Sequence, residues 1–374
     1  MLQSTQFALR EGEIHLGIGH PEEALLPKDL LAQAAAHRFA QNGAAFLQYG
    51  ADVGDDLFRL ELATFLSRHY GFKVEPNTLY ITNGISQALD FVCRYLSQPG
   101  DVIFVEEPSY FLALHIFADY QLNIIPVPLD AEGLMVDELE PLIKKHQPKL
   151  LYTIPIHQNP SGVSLSEARR QKLLELAETY KILVLADEVY HLLTYEGQAP
   201  TAMAAYTESK QVISLGSFSK ILAPGLRLGW LNAHPSLLDK LAQSGMVQSG
   251  GGLNPFASGV VRSMLELGLQ DSYLASAKAI YHSRLDAMDD ALKALPLRYQ
   301  KPKGGYFFWL ELPEAMDATI LLEAAVRQGV SFQPGPKFSA QEKLSHYLRL
   351  CFSYYDSTIL KEGIARLYTT MNTM

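Results

Sequence analysis

Between Gln211 and Leu231 lies a lysine in company that could make it reactive: Ser214-Leu215-Gly216-Ser217-Phe218-Ser219-Lys220-Ile221-Leu222-Ala223-Pro224-Gly225-Leu226-Arg227. The apolar runs Gln211–Leu215 and Leu226–Leu231 read as short strands, with Pro224-Gly225 marking a turn between them. Phe218, Ile221 and Leu222 are poor solvation partners for an ammonium. Desolvation disfavours the charged form and lowers the pKa, which suits an amine nucleophile at neutral pH. Ser217, Ser219 and Arg227 offer hydroxyl donors and a planar fork of the kind that a phosphate accepts. Together they suggest a lysine that forms a Schiff base with a phosphate-bearing aldehyde, although lysines in loops are more often simply solvated.

Two further charges sit in apolar strands and need partners. Asp187 ends the run Ile182-Leu183-Val184-Leu185-Ala186, with Glu188 and Tyr190 just beyond. A protonated pyridine nitrogen would satisfy it; so would a metal, as at strand ends of phosphohydrolases, but no Gly-x4-Gly-Lys phosphate loop accompanies it. Arg349 lies in Tyr347-Leu348-Arg349-Leu350-Cys351-Phe352-Ser353, where an anionic ligand or a structural salt bridge would pair it.

The remaining candidates stand where strands give way to loops. Leu79–Thr82 leads through Asn83-Gly84 into a helix whose first amides, at Ile85, Ser86 and Gln87, form an anion site; plain capping by Ser86 is the alternative. Tyr110 follows the strand Asp101–Val105, where open α/β sheets place ligands and an aromatic could lie flat on a pyridine ring or pack in the core. Asn159 lies in the turn Asn159-Pro160-Ser161-Gly162 after the strand Lys149–Ile154. Gly17 and Gly19 could let a backbone approach a ligand or form a simple turn, and Tyr49 before Gly50 reads alone as a packed turn residue.

The elements that must position these residues alternate along the chain. Helices are predicted over Leu25–Phe39, over Asp56–Tyr70 by the apolar spacing of Leu57, Leu60, Leu62, Phe65 and Leu66, and over Ser166–Tyr180 opened by Ser164. Strand, helix and strand signals over Asn123–Val127, Val136–Lys145 and Lys149–Ile154 argue for an α/β fold with a mainly parallel sheet. Gly250-Gly251-Gly252 reads as a flexible loop. Further helices are expected at Pro235–Val247, Pro255–Leu267 and Asp271–Leu295. From about Leu297 mixed strands and helices suggest a small α/β C-terminal domain. The organisation expected is an N-terminal arm and part of the small domain over 1–40, a large domain over 41–280 and the small domain over 281–374.

Composition narrows the function classes. The 374 residues carry a net charge of −9 with no basic run, which argues against nucleic acid as a partner. No stretch approaches a membrane span, and Met1–Arg10 lacks an apolar signal core. Cys93 and Cys351, both in apolar runs, read as buried thiols of a reducing, cytoplasmic compartment. No histidine pair has helical ligand spacing, so no metal is expected.

The lysine block, the run Ile182–Tyr190 and the Arg349 strand together resemble the fold type I pyridoxal-phosphate-dependent aminotransferases, in the branch with 2-aminoadipate and kynurenine aminotransferases; the likeness runs from Gly17 to Ser353. It implies that Lys220 holds pyridoxal 5'-phosphate and moves the substrate's α-proton, and that Asp187 keeps the ring nitrogen protonated. Tyr190 and Asn159 would bond the ring oxygen, and Tyr110 would stack on the ring. Ser86, Gln87, Ser217, Ser219 and Arg227 would hold the phosphate, joined by Tyr49 from the other subunit of a homodimer. Arg349 would bind the substrate α-carboxylate, with Gly17 and Asn159 beside it. Ser161 stands where related sequences often have threonine; the hydroxyl is kept. The reaction implied is ping-pong transfer between an L-amino acid and a 2-oxo acid. The same residues also serve carbon–sulfur β-lyases. A ligand-sensing regulator is a third reading, disfavoured because the motifs begin by Gly17 and leave no room for a DNA-binding module before them. No second arginine is clearly placed for a side-chain carboxylate, and Arg10 is a weak candidate.

Overall fold

The computed structural model describes residues 10–374. Its centre is a sheet whose strand order is Leu79–Thr82, Gly229–Ala233, Val212–Ser217, Leu183–Asp187, Leu150–Thr153, Val102–Glu107, Asn123–Asp130 and Gly133–Leu134. The five strands from Val212–Ser217 to Asn123–Asp130 are mutually parallel, and Gly229–Ala233 runs antiparallel to both its neighbours. The run Leu183–Asp187 is buried throughout, as an apolar strand covered on both faces must be. Asn123–Asp130 tolerates Pro126 and Pro128 because only the two-residue strand Gly133–Leu134 lies outside it.

Parallel pairing puts the C-terminal ends of Leu79–Thr82, Val102–Glu107, Leu150–Thr153, Leu183–Asp187 and Val212–Ser217 along one edge. The segments that leave this edge carry Ser86, at the start of the helix Ile85–Leu96, and Tyr110, Asn159, Tyr190 and Lys220. Ligands of open α/β sheets bind at such an edge.

A second, antiparallel sheet has the order Arg298–Tyr299, Phe307–Glu311, Tyr347–Cys351, Gln333–Pro334. Arg349 pairs with Trp309 on one side and Gln333 on the other. Near the N-terminus, Ile14–His15 pairs in parallel with Val330–Ser331 and so ties the start of the described chain to its last third. The helix Leu269–Leu292 runs unbroken through position 280. The C-terminal helix Ser357–Asn372 packs on it.

Several local expectations change. Pro27 splits the first predicted helix into a short 3-10 turn at Glu23–Leu25 and the helix Lys28–Ala40. Asp56–Tyr70 is helical, and Leu62, Phe65 and Leu66 are buried, but Leu57 and Leu60 are 52% and 48% exposed. The apolar stripe is wider than the core it covers. Ser166, not Ser164, precedes the helix Glu167–Tyr180; the Ser164 hydroxyl instead accepts the His157 N–H at 3.0 Å. The stretch after Pro235 breaks into Pro235–Ala242 and Gly245–Gln248 around Ser244, whose side chain caps the second piece. The glycine run is packed against the loop after Tyr49: Gly252 N–H donates to Gly50 O at 3.1 Å, and a Cβ at Gly251 would lie 1.9 Å from the same oxygen. Close backbone approach accounts for these glycines.

Candidate active site

A cavity of about 780 Å3 opens at the edge where the parallel strands end. Ser86, Tyr110, Asn159, Asp187, Tyr190, Ser217, Ser219, Lys220, Arg227 and Arg349 line it, joined by Gly19. They come from positions spread over more than half the chain, and the sheet edge assembles them.

Lys220 follows the strand Val212–Ser217. Its amine donates to Gly19 O at 2.6 Å and lies 5.7 Å from the centre of the Tyr306 ring. The side chain remains accessible from the cavity while protein surrounds the amine. That desolvation, reinforced by the charges of Arg349 and Arg227, lowers its pKa to about 8. Tyr306 also anchors the lysine backbone, its hydroxyl donating to Lys220 O at 3.0 Å.

Asp187 is the buried acid opposite. Burial pushes its pKa up to about 6, against the Tyr152 hydroxyl, which donates to Oδ2 at 2.9 Å, and the Val189 N–H, 3.3 Å from Oδ1. Its strand register brings this about. Tyr152 pairs with Leu185, two residues before Asp187 and on the same face, so the long phenol reaches diagonally to the carboxylate. Tyr152 is fully buried. Sequence reasoning passed over it, since one tyrosine in an apolar strand carries no signal until the register is known.

At the other end of the cavity the donors suit a dianion. Ser217 Oγ donates to Ser219 Oγ at 2.9 Å and accepts the Ser219 N–H at 3.1 Å, which holds the two hydroxyls together. Arg227 makes only bonds to the carbonyls of Pro224 and Asn83, at 3.2 and 3.3 Å, and forms no ion pair among the described residues. The helix Ile85–Leu96 begins after Gly84 without a side-chain cap, so Ser86 keeps its hydroxyl in the cavity instead of closing the helix end. Gln87 is placed differently: its side chain turns back, Oε1 accepting the Asn83 N–H at 3.3 Å, while Nε2 is buried without a partner among the described residues, and the side chain does not line the cavity.

Arg349 is buried, with its guanidinium carbon 4.1 Å from the centre of the Phe307 ring and 4.9 Å from that of Phe338. Nη1 donates to Asn159 Oδ1 at 2.8 Å and Nη2 to Gly17 O at 2.8 Å; Nε is buried with no partner among the described residues. No carboxylate among the described residues pairs with it. The alternative of a structural salt bridge is therefore not met: neutral acceptors hold the planar fork, and aromatic faces cover it. Gly17 contributes its carbonyl from outside the cavity lining. A Cβ there would meet Gln333 Cγ at 2.9 Å, so a side chain would crowd the strand beside Arg349.

Tyr49 is 84% exposed and outside the cavity of its own chain, and Arg10 is exposed and outside it too. Both cysteines are buried free thiols. Glu196, His282 and Asp286 cluster away from the cavity, but Lys301 Nζ already occupies the cluster, 2.7 Å from Glu196 and 2.8 Å from Asp286.

The donor set fits pyridoxal 5'-phosphate. Arg227, two hydroxyls and a helix start suit its phosphate, a buried acid suits its ring nitrogen, and an amine of lowered pKa suits its aldehyde. A doubly wound large sheet with such a site at its edge defines a pyridoxal-phosphate-dependent transferase of fold type I.

Comparison with known proteins agrees. Residues 11–367 match the family model described as aminotransferase class I and II, and the chain belongs to this family, whose members use pyridoxal phosphate. It is 36% identical to aromatic-amino-acid aminotransferase 1 of Thermococcus litoralis, over 96% of this chain and 88% of that one. It is 34% identical to the 2-aminoadipate transaminase of Thermus thermophilus, over 98% and 91%. The structure of the Pyrococcus horikoshii kynurenine aminotransferase superposes with a TM-score of 0.91 at 33% identity, covering 100% of this chain and 97% of that one. The chain is accordingly an aminotransferase, in the branch that its motifs resemble. No helix among the described residues is long and apolar enough to cross a membrane.

Proposed function

We propose that this aminotransferase moves the amino group of an L-amino acid to a 2-oxo acid in two half-reactions, as a homodimer in a reducing, cytoplasmic compartment. The observation that carries this reading is Arg349: a buried fork, held by neutral acceptors, with one donor unpartnered among the described residues, beside the Lys220 cavity. Such a group is costly unless a carboxylate arrives to pair with it.

Bound pyridoxal phosphate supplies an aldehyde that joins amines and a ring that accepts an electron pair. The chain supplies the rest. Arg349 binds the α-carboxylate and, with Asn159, fixes how the Cα–H bond points. Lys220 Nζ, neutral in good part near pH 8, takes the α-proton and holds it for return. Asp187 holds a proton on the ring nitrogen, its charge kept in place by Tyr152. Tyr190 and Asn159 bond the ring oxygen, and Tyr110 covers the ring. Ser86, Ser217, Ser219 and Arg227 bind the phosphate, with the first amides of the helix Ile85–Leu96, including that of Gln87.

The homodimer is supported by an uncovered apolar face. Phe39, Phe46 and Phe256 pack on one another there, and Phe39, Phe256, Leu47, Leu57, Leu60 and Tyr49 are exposed. A second copy would bury this face and bring its Tyr49 to the phosphate. The domain division proposed is an N-terminal arm and part of the smaller unit over 1–40, of which residues 1–9 lie outside the described residues, with 281–374 as the rest of the smaller unit and 41–280 as the larger. The parallel pairing of Ile14–His15 with Val330–Ser331 supports placing the start of the described chain with the smaller unit, whereas the helix Lys28–Ala40 packs on Pro255–Glu266 of the larger one, Arg38 Nη2 lying 2.6 Å from Glu266 Oε2.

The test is a single half-reaction. Mixed with an amino acid alone, the loaded enzyme should release one equivalent of 2-oxo acid per site and stop. Continuous release of pyruvate and ammonia from cystathionine, with no 2-oxo acid added, would indicate a β-lyase instead.

A further inference from the structure

Glu106 is a buried carboxylate that the reaction as described does not use. It stands near the end of Val102–Glu107 and is 1% exposed. No cation among the described residues pairs with it, and Asp187 adds repulsion. An unpaired buried carboxylate is retained at a cost, and its hydrogen bonds are where the return must be sought.

Those bonds gather one loop. Oε1 accepts the Thr153 hydroxyl. Oε2 accepts both the Ile154 N–H and the Gln158 amide, each at 3.0 Å. Gln158 Nε2 also donates to Pro108 O at 2.8 Å, and its Oε1 accepts from the Ser161 N–H at 2.8 Å and the Ser161 hydroxyl at 2.7 Å. Asn159 lies inside this clasp, and its Oδ1 receives the Arg349 Nη1 bond at 2.8 Å. Hydrogen bonds from Glu106 thus hold Gln158 and the backbone at Ile154, the covalent chain joins Gln158 to Asn159, and the Asn159 side chain bonds the guanidinium. The other hydrogen-bond partner of Arg349 among the described residues is the Gly17 carbonyl. Losing the orientation of Asn159 would leave the fork free to turn.

We propose that Glu106 is a positioning residue for recognition of the substrate carboxylate: it fixes the loop of Asn159, and Asn159 fixes Arg349. This rests on the reading of Arg349 as the carboxylate fork. What Glu106 contributes is acceptor geometry. A glutamine keeps one oxygen for Ile154 and Gln158, and its amide can donate to the Thr153 oxygen, because a hydroxyl both donates and accepts.

The test uses the full-length loaded enzyme in single-turnover half-reactions, where the dependence of rate on amino-acid concentration separates apparent affinity from the limiting rate. Glu106→Ala should weaken apparent affinity roughly ten-fold, about the value of one charge-assisted hydrogen bond, with the limiting rate changed less than about three-fold. Glu106→Gln should stay within about three-fold of the parent in both. Should Glu106→Ala not fold, Gln158→Leu reports on the same clasp and should weaken affinity likewise. An unchanged affinity in the folded variant, a loss confined to the limiting rate, or a Glu106→Gln variant as impaired as Glu106→Ala would overturn the proposal. Arg349→Ala serves as the control: if it too leaves affinity unchanged, the reading of Arg349 fails; if it weakens affinity while the clasp variants do not, only the role of Glu106 fails.

Discussion

The hydroxyl of Tyr152 donates to the carboxylate of Asp187 at 2.9 Å, both groups buried and on adjacent parallel strands. With the Val189 N–H, the phenol resists the upward push of burial on the carboxyl pKa. Tyr152→Phe removes one hydrogen bond to a charged group, worth about 1.5–3 kcal/mol. We predict that pyridoxal phosphate binds this variant roughly ten-fold or more weakly at about pH 7.5, measured by equilibrium titration of ring absorbance, and that kcat falls. Unchanged affinity and rate would show that Asp187 needs no support.

Asp187→Ala tests the acid directly. The fold should persist, because the cavity lies along one face of the residue, while most of the turnover is lost. Far-UV circular dichroism and a half-reaction assay read the two effects separately.

The lowered pKa of Lys220 gives a pH dependence with a definite sign. The neutral amine is the nucleophile, so in cofactor-depleted protein the rate of combination with added pyridoxal phosphate should rise with pH and level off above about 8. An ordinary lysine would keep gaining up to about 10.4. A continued rise through that range, followed by stopped-flow absorbance, would mean that the amine is solvated.

Arg349→Ala should raise the KM for the amino acid by about two orders of magnitude, as expected for losing a buried charge-assisted pair worth about 3 kcal/mol, with a smaller effect on kcat. Steady-state kinetics at several fixed oxo-acid concentrations would show it, and an unchanged KM would reassign the residue to scaffolding.

What the sequence revealed of this site follows a physical rule. Asp187 and Arg349 stand out because a charge inside an apolar strand asks for a partner, and Lys220 because the apolar neighbours of its turn desolvate it; each question can be posed from one short segment alone. Tyr152 and Glu106 could not be read this way. Their roles depend on which strand lies next to which, and at what register. Phe338 and Phe307, which flank the guanidinium, reach it from separate elements, and no local pattern announces that. Leu57 and Leu60 show the converse limit of a local pattern. Helical periodicity finds an apolar stripe, yet cannot say whether its edge meets the core of the same chain or an uncovered face. The parallel sheet is legible because strand and helix signals alternate; Pro27 and Ser244 interrupt predicted helices because proline removes a helix donor and the Ser244 side chain caps a new helix start.

The most direct measurement is covalent. The purified protein, saturated with pyridoxal 5'-phosphate, is reduced with borohydride, digested and mapped by mass spectrometry. The account predicts a phosphopyridoxyl group on Lys220 and its absence from the Lys220→Ala protein, which should also have lost transamination. A label that falls on other lysines alone, or near-normal turnover by Lys220→Ala, would contradict the assignment on which the rest depends.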